Sequence, residues 1–414
     1  MSIMGASVSG MNADTNWLST ISQNVANANT TGYKNVQTEF STLVDQSSNV
    51  SENVTGVTTS LRALNALQGS VVGTSTSTDL AVQGKGYFVV SDSSGALYLT
   101  RNGSFVPDAA GNLVNAAGYY LMGYNVQNGQ ANASANSMTG LQKVNVVTAG
   151  QAATATTSGA LTANLPSTAT AVAAANLPST NSAGAVYTDK TSLITYDNLG
   201  GAHTIDIYMT NTGANTWEVT AFDASKAAPG GGFPYSSGPL VTQALNFSGA
   251  TGSLTSGSPL SIPIPNGQNM KLDLGQMTQL ATGFSVTAAT SNGNAPGSST
   301  GVSIAKDGTL SFQFSNGATR PGYDIPLADV ASPDNMTSVN GDAFLANYNS
   351  GPAHVGTAGT GAFGSISSSS LENSTVDIAT ELTDMIQAQS AYQANSKVFQ
   401  TGADILQILN GLKP

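Results

Sequence analysis

The stretch NVANANTTGYKN, Asn24 to Asn35, ends a helical pattern. Before it, apolar residues recur at intervals of seven, at Met4, Met11, Leu18 and Val25, with Ile21 and Ala28 one turn further along the same face. Side chains three, four and seven positions apart share one side of a helix, so the spacing predicts an amphipathic helix from about Ser2 to Ala28. Asn, Thr and Gly then stop it. A lone amphipathic helix cannot bury its stripe against itself, and nothing directly downstream has a matching period. Its partner has to come from a distant part of the chain or from another copy.

A second series stands at the other end. Leu371, Ile378, Met385, Tyr392, Phe399 and Leu406 are each seven residues apart, and Leu382, Ala388, Ile405 and Leu409 widen the stripe. This spacing predicts a coiled-coil helix, with Asp377 and Glu381 placing negative charge near its start, where the helix dipole favours it. The two terminal helices share one period and are expected to pair. Ordering each residue costs about 1–2 kcal/mol of backbone entropy, while burying a large apolar side chain returns about 1.5–3 kcal/mol, so a single two-helix contact is a thin return. The expected assembly interface is therefore the set Met4, Met11, Leu18, Ile21, Val25, Leu371, Ile378, Leu382, Met385, Tyr392, Phe399, Leu406 and Leu409, disordered in the monomer and bundled in a polymer. A solvated stalk within one chain is the simpler alternative. Such a stalk normally carries Glu and Lys on its outer faces, and these helices carry few.

Composition points the same way. Charged residues are 8% of the 414, against about 25% in ordinary soluble domains, while the hydrophobic fraction is 40%. A chain that is neither highly charged nor poor in apolar residues should fold, and its length allows two or three domains. Weakly charged surfaces are poor at keeping copies apart. The net charge of −11 reflects scarce Lys and Arg; with no basic cluster to neutralise phosphates, nucleic acid is not an expected partner. An anionic membrane surface is not expected either, since no Lys or Arg precedes Lys34. Cysteine is absent, which removes disulfides, thiolate metal sites and cysteine nucleophiles. The first residues lack the basic start and continuous apolar run of a Sec signal peptide. No run of about 18 apolar residues predicts a membrane-inserted helix, so export would need another machine.

Between the ends the pattern is mainly β. Val36, Phe40, Leu43 and Val44 share one helical face and predict a second short helix, and Gln46 to Thr78 reads as extended connector. From Asp79 short strands alternate with turns: DLAVQGKGYFVV, DSSG, ALYLT, RNG, SFVP, DAAGN and YYLMGYNV. Gly and Asn between β-branched or aromatic runs mark hairpins, because both tolerate positive φ. Between Asp108 and Asp189 the only charged residue is Lys143, a composition shift that marks a boundary or a variable segment. A second antiparallel meander follows, in which Ile205, Ile207 and Met209, then Trp217, Val219 and Ala221, alternate onto one face.

Catalytic chemistry finds little support. His203 and His354 are far apart in sequence and have no carboxylate cluster at metal-ligand spacing, so both read as surface or half-buried histidines. GTGAFG places Gly359, Gly361 and Gly364 at dinucleotide-binding spacing, but SISSSS follows where an apolar helix is required, and a flexible turn is expected. QGKGYF lacks the rest of a phosphate loop, and no G-x-S-x-G elbow occurs. Asp206 and Asp223 read as carboxylates on solvated strand faces, unpaired for acid–base work. No enzymatic activity, cofactor or metal is expected.

The same residues carry a family likeness. SGMNADTNWLSTISQNVANANTTGYKN resembles the N-terminal signature of the bacterial flagellar rod and hook proteins, and LENSTVDIATELTDMIQAQSAYQANSKVFQTGADILQILNGL resembles their C-terminal signature. DLAVQGKGYFVV, LTRNGSFVPDAAGNLVNAAGYYLMGY and GTAGTGAFG resemble the β-domain of that family. The insertion from roughly Gly140 to Thr282, with TSLITYDNLGGAHTIDIYM, resembles the outer domain of the hook members, a large insertion that the distal rod members lack.

The resemblance implies a multidomain fold, mainly β with terminal α-helices paired as a coiled coil. It implies a helical core at 1–30 and 371–414, a connector at 31–78 and 346–370, an inner antiparallel β-domain at 79–139 and 283–345, and an outer one, 140–282, inserted in it. It further implies a structural subunit that polymerises into a curved, flexible tube transmitting torque from rod to filament, outside the cell in the flagellar hook. Its partners would be copies of itself, the distal rod protein, the hook cap, the hook–filament junction protein and the flagellar type III export apparatus. Many relatives read AQRAYQAN where this chain has Ser390, so no ion pair is carried over to that position. Two other readings stay open, a distal rod protein sharing the termini and a secreted β-rich adhesin sharing the Gly/Thr/Asn-rich strands.

Overall fold

The structure, a computed structural model, describes residues 3–45, 53–126, 137–147 and 150–411. Residues 1–148, 301–312 and 320–414 form one compact unit, and residues 149–300 with 313–319 form a second, inserted into the first in sequence.

Helix α1 spans Ile3–Ala26 and α2 spans Ile378–Gly411. Asp377 opens α2, its carboxylate accepting the Ala379 and Thr380 amides at 2.9 and 3.2 Å, which satisfies donors that a helix start otherwise leaves free. The two helices pack antiparallel: Met4 lies against Gly402, Gly10 and Asp14 against Asn395, and Asn24 against Glu381. After α1 the chain turns through Gly32 at φ +74°. A Cβ there would lie 2.7 Å from the Arg101 backbone, so the position needs glycine for both its torsion and its closeness.

Residues Val36–Asp45 form a strand, β1, where a short helix was expected, and β1 pairs antiparallel with β2, Asn53–Ala63. The spacing of Val36, Phe40 and Val44 is even, so it fits a two-residue period as well as a helical one, and VQTEFSTLV is rich in β-branched and aromatic residues. Phe40 meets Trp17 of α1 edge to face, ring centres 5.6 Å apart. Residues 46–52 of the expected connector lie outside the described residues. Leu371 also departs from expectation. It sits in the strand Ser370–Glu372, paired with Val71–Gly73, and not on α2.

The sheet of the first unit is centred on Tyr87–Ser91. That strand pairs with Leu97–Thr100, Tyr120–Asn125 and Pro326–Asp329, placing Phe88 opposite both Thr100 and Leu327. Tyr87, Val89, Leu99, Met122, Ala328 and Phe344 bury one another there. GTGAFG is a turn between His354–Thr357 and Ser365–Ser368, with Gly359 and Gly361 at φ +75° and +60°.

In the inserted unit, Asp189–Tyr196, Ala202–Gly213, Thr216–Asp223 and Val241–Phe247 form an antiparallel meander. Ile205, Ile207, Met209, Trp217, Val219 and Ala221 are buried on one face, packed with Leu161, Leu165, Leu260 and Leu272. The last four belong to a second sheet, in which Ser158–Pro166 runs parallel to Asn269–Asp273 and Thr278–Leu280 and antiparallel to Ser285–Ser291. Residues 283–300 therefore lie in the inserted unit, whereas the inner domain was their expected place.

The other face of the meander is covered too, which corrects the reading of Asp206 and Asp223 as solvated. They are 4% and 6% exposed. The Pro/Gly-rich strap between Thr216–Asp223 and Val241–Phe247 lays Phe233 and Tyr235 over Tyr208 and Phe222. Asp206 accepts from Ser192 Oγ and the Tyr235 hydroxyl, each at 2.6 Å, and pairs with Lys190 Nζ at 2.9 Å. Burial pushes the Asp206 carboxyl up, but the Ser192, Tyr235 and Lys190 donors more than offset it and hold it below the usual carboxylate range. Burial, then Asp206 itself, pushes the Tyr235 hydroxyl far up. Asp223 accepts the Ser225 amide at 3.0 Å.

Candidate functional site

The helices join the rest of their unit at a buried charge cluster. The side chains of Lys34, Arg101 and Glu372 are 1%, 4% and 0% exposed. Lys34 Nζ donates to Glu372 Oε1 and to the Leu67 carbonyl, both at 2.5 Å. Arg101 donates to Glu372 Oε2 at 3.1 Å and to the Gly84 carbonyl at 2.9 Å, and the Gly69 amide reaches Glu372 Oε1 at 2.8 Å. Burial lowers the Lys34 pKa and the neighbouring Glu372 opposes that shift. Such a cluster gains little net stability over apolar packing, because desolvation cancels much of the attraction. Its effect is geometric: the exit of α1, the strand before α2 and the inner sheet are held in one arrangement. Nothing in the linear sequence joins positions 34, 101 and 372; the available signal was the presence of charge in a chain with so little of it.

Asn24 does similar work at the base of the helix pair. Its Nδ2 donates to Asn35 Oδ1 at 2.9 Å, the Val36 carbonyl at 2.8 Å and Glu381 Oε1 at 3.1 Å, while its Oδ1 accepts the Tyr33 hydroxyl at 3.2 Å and the Val36 amide at 3.1 Å. Asn35 Nδ2 also reaches Glu381 Oε1, at 3.0 Å. The asparagines that stop α1 thus tie its end to the first turn of α2.

Above this base the seam is built of small and polar side chains. Ser7, Gly10, Ala13 and Asp14 of α1, and Ala388 and Gly402 of α2, are buried. A Cβ on Gly10 would meet Asn395 Nδ2 at 2.7 Å, and one on Gly402 would meet Met4 Cγ at 3.1 Å. Of the sequence-predicted positions, Ile21 is 2% exposed and belongs to the chain's own core, so it is not available to another copy. Met4, Met11, Leu18, Val25, Met385 and Phe399 are half-buried, as is Leu371 in its strand. Ile378, Leu382, Tyr392 and Leu406 are exposed, and the side chain of Leu409 lies outside the described residues. Heptad counting missed Ile386 and Ile408, which are 65% and 64% exposed, and Val398. The period located both helices, but the close approach made by glycine and alanine admits small side chains and leaves most of the large ones on α2 in the open. Ser390, at the departure from the family pattern, donates back to the Ile386 carbonyl at 2.8 Å. His203 is half-buried, with Nε2 3.3 Å from Asp197 Oδ2.

Comparison with known proteins matches four segments of the chain to families. Residues 4–34 match the flagella basal body rod protein family, and residues 81–170 match the flagellar hook protein FlgE/F/G D1 domain. Residues 164–294 match the flagellar basal body protein FlaE D2 domain, and residues 367–412 the flagellar basal body rod FlgEFG protein C-terminal family. Paired terminal helices that flank β-units in sequence, with these matches, define an axial protein of the bacterial flagellum. The chain is 44% identical over 413 residues to the flagellar hook protein FlgE of Brucella abortus biovar 1 (strain 9-941), covering 99% of this chain and 98% of that one. The corresponding protein of Escherichia coli (strain K12) is 32% identical over 420 residues, covering 98% of each. The crystal structure of Helicobacter pylori flagellar hook protein FlgE2 aligns with a TM-score of 0.48 at 15% identity, over 71% of this chain and 98% of that one. The chain belongs to the flagellar hook protein family and is a structural subunit of the hook; the distal rod and adhesin readings are not favoured. Among the described residues no helix is long and apolar enough to cross a membrane.

Proposed function

We propose that copies of this chain polymerise through their terminal helices into a curved, flexible tube that transmits torque from rod to filament. The observation that carries this reading is the exposure of large apolar side chains on α2, led by Ile386 and Ile408, beside a seam built without them. Covering such surface yields about 25 cal/mol per Å², and the helices of neighbouring copies can supply the cover. The inter-copy contact is assigned to Ile378, Leu382, Tyr392 and Leu406, with the half-buried Met4, Met11, Leu18, Val25, Met385 and Phe399 contributing at its margin. The terminal segments gain their order on assembly. The sparse charge of the β-units supports contacts between copies that can shift as the tube bends.

The family points to the distal rod protein, hook cap, hook–filament junction protein and type III export apparatus as further partners, and to the hook outside the cell as the location, reached without a cleaved signal peptide. The division into helical core, connector, inner β-domain and inserted β-domain belongs to the same proposal, with the core beginning on α2 at Ile378. Negative-stain microscopy of the purified protein is expected to show hollow tubes, and a persistent monomer under assembly conditions would overturn the reading. Removal of residues 1–28 should abolish tubes and leave both β-units folded by circular dichroism. Amide protons protected throughout both terminal segments in dilute, unassembled protein would contradict ordering on assembly.

A further inference from the structure

Asp14 is the single charged residue of α1, and it is 5% exposed. Its carboxylate accepts Asn395 Nδ2 at 2.8 Å, and no ion pair among the described residues includes it. Gly10 lies one turn away on the same helix face, close enough that a Cβ would overlap Asn395 at 2.7 Å. Asn395 is thus seated against Gly10 on one side and hydrogen-bonded to Asp14 on the other. A carboxylate kept from water with only a neutral partner costs free energy that an apolar pair would not. What such a group supplies between two helices is selectivity: sliding by one turn, about 5.4 Å, would strand the carboxylate in a dry seam with no donor. The small side chains around it, Ser7, Ala13 and Ala388, offer little interlocking shape to choose a register by themselves.

We propose that Asp14 and Asn395, with Gly10, fix the axial register of the two terminal helices beyond the base where Asn24 and Asn35 already hold Glu381, and through it the alignment of the apolar rows that copies present to each other. They are positioning residues, with no contact to a neighbour required of their own. A slip of one turn would displace Val8 on α1 relative to Leu382 and Ile386 on α2, all of them exposed, so the composite surface is correct in one register alone. The inference rests on the reading that the terminal helices form the contact between copies.

The chain has no cysteine, so introduced pairs report unambiguously. Met4→Cys with Gly402→Cys reports the native register, and Met4→Cys with Val398→Cys or with Leu406→Cys reports a slip of one turn either way. Each pair is co-assembled with excess wild-type protein, after the wild type alone has been scored for tubes, and oxidised; absence of wild-type tubes would count against the proposed function and is seen before any cross-link is read. With Asp14 intact, the 4–402 cross-link should dominate. Asp14→Asn, which keeps the hydrogen-bonding shape, should preserve that pattern. Asp14→Leu should lower the 4–402 yield at least threefold while the slipped pairs gain, or should fail to co-assemble where Asp14→Asn succeeds. The proposal is overturned if Asp14→Leu co-assembles with the 4–402 cross-link undiminished, or if Asp14→Asn is excluded from tubes as completely as Asp14→Leu.

Discussion

Between the terminal helices lie Ser7, Gly10, Asp14, Asn395 and Gly402, whereas the inserted unit closes on Ile205, Met209, Trp217, Leu260 and Met270, each 0% exposed. Apart from the buried Ile21, the helices hold their large apolar side chains at the margin or outside; the inserted unit holds its own within. Both regions have a clear apolar period in sequence. A period says that an element has an apolar face, and it does not say what covers that face. The inserted unit completes its own core from two sheets. The helix pair buries only its seam, and its exposed apolar rows are the surface that the proposed contact between copies would cover.

This contrast can be broken most directly in the interiors. Trp217→Ala should cost the inserted unit about 3–5 kcal/mol, the range for removing a large buried aromatic side chain, read from denaturant unfolding; a loss under about 1 kcal/mol would mean that this core is not the self-sufficient one. Glu372→Ala should cost the first unit a comparable amount, about 3–5 kcal/mol, because it leaves Lys34 and Arg101 buried without their anion. Loss of cooperativity in urea for the first unit, with the inserted unit unchanged, checks it.

A middle-sized effect is expected at the covered face of the meander. Tyr235→Phe removes a donor to a buried carboxylate and should cost about 1.5–3 kcal/mol. Because the folded state holds the Asp206 pKa below its unfolded value, its contribution is fully present above the ordinary carboxyl value of about 3.9 and is lost as the pH falls through the lower folded value. Acid unfolding followed by tryptophan fluorescence should therefore begin at a higher pH in Tyr235→Phe than in the wild type, and coincident acid curves would remove Asp206 from the account. The smallest effect on the subunit is expected on the open helix face. Ile386→Ala should change subunit stability by no more than about 0.5 kcal/mol, as for exposed positions generally, yet shorten or abolish tubes in sedimentation and microscopy. A large loss of subunit stability with tubes intact would reverse the contrast.

The parts of the fold legible in sequence were those in which one element decides its own shape. The helix ends at NVANANTTGYKN, the turns at Gly and Asn, and the alternation of Ile205, Ile207 and Met209 are all local, and the structure keeps them. Val36–Asp45 was misread because evenly spaced apolar residues satisfy both periods, and the pairing with Asn53–Ala63 chose between them. Leu371 continued a numerical series past the point where the backbone becomes a strand. Asp206 looked solvated because the strap that covers it carries no periodic signal of its own. The candidate site was half legible: its helices were found, but which side chains face the seam depended on how closely two distant helices approach.

By itself the sequence determined that two helices stand at the ends, that β-units lie between them, and that charge is scarce along the whole chain. Each of these follows from local periodicity or composition, which require no knowledge of neighbours. Only the tertiary structure decided that Lys34, Arg101 and Glu372 meet, that Asp14 seats Asn395, and that Ile386 stays in the open. Those outcomes depend on distances between residues hundreds of positions apart, where burial and hydrogen bonding are properties of the contact and not of either partner alone.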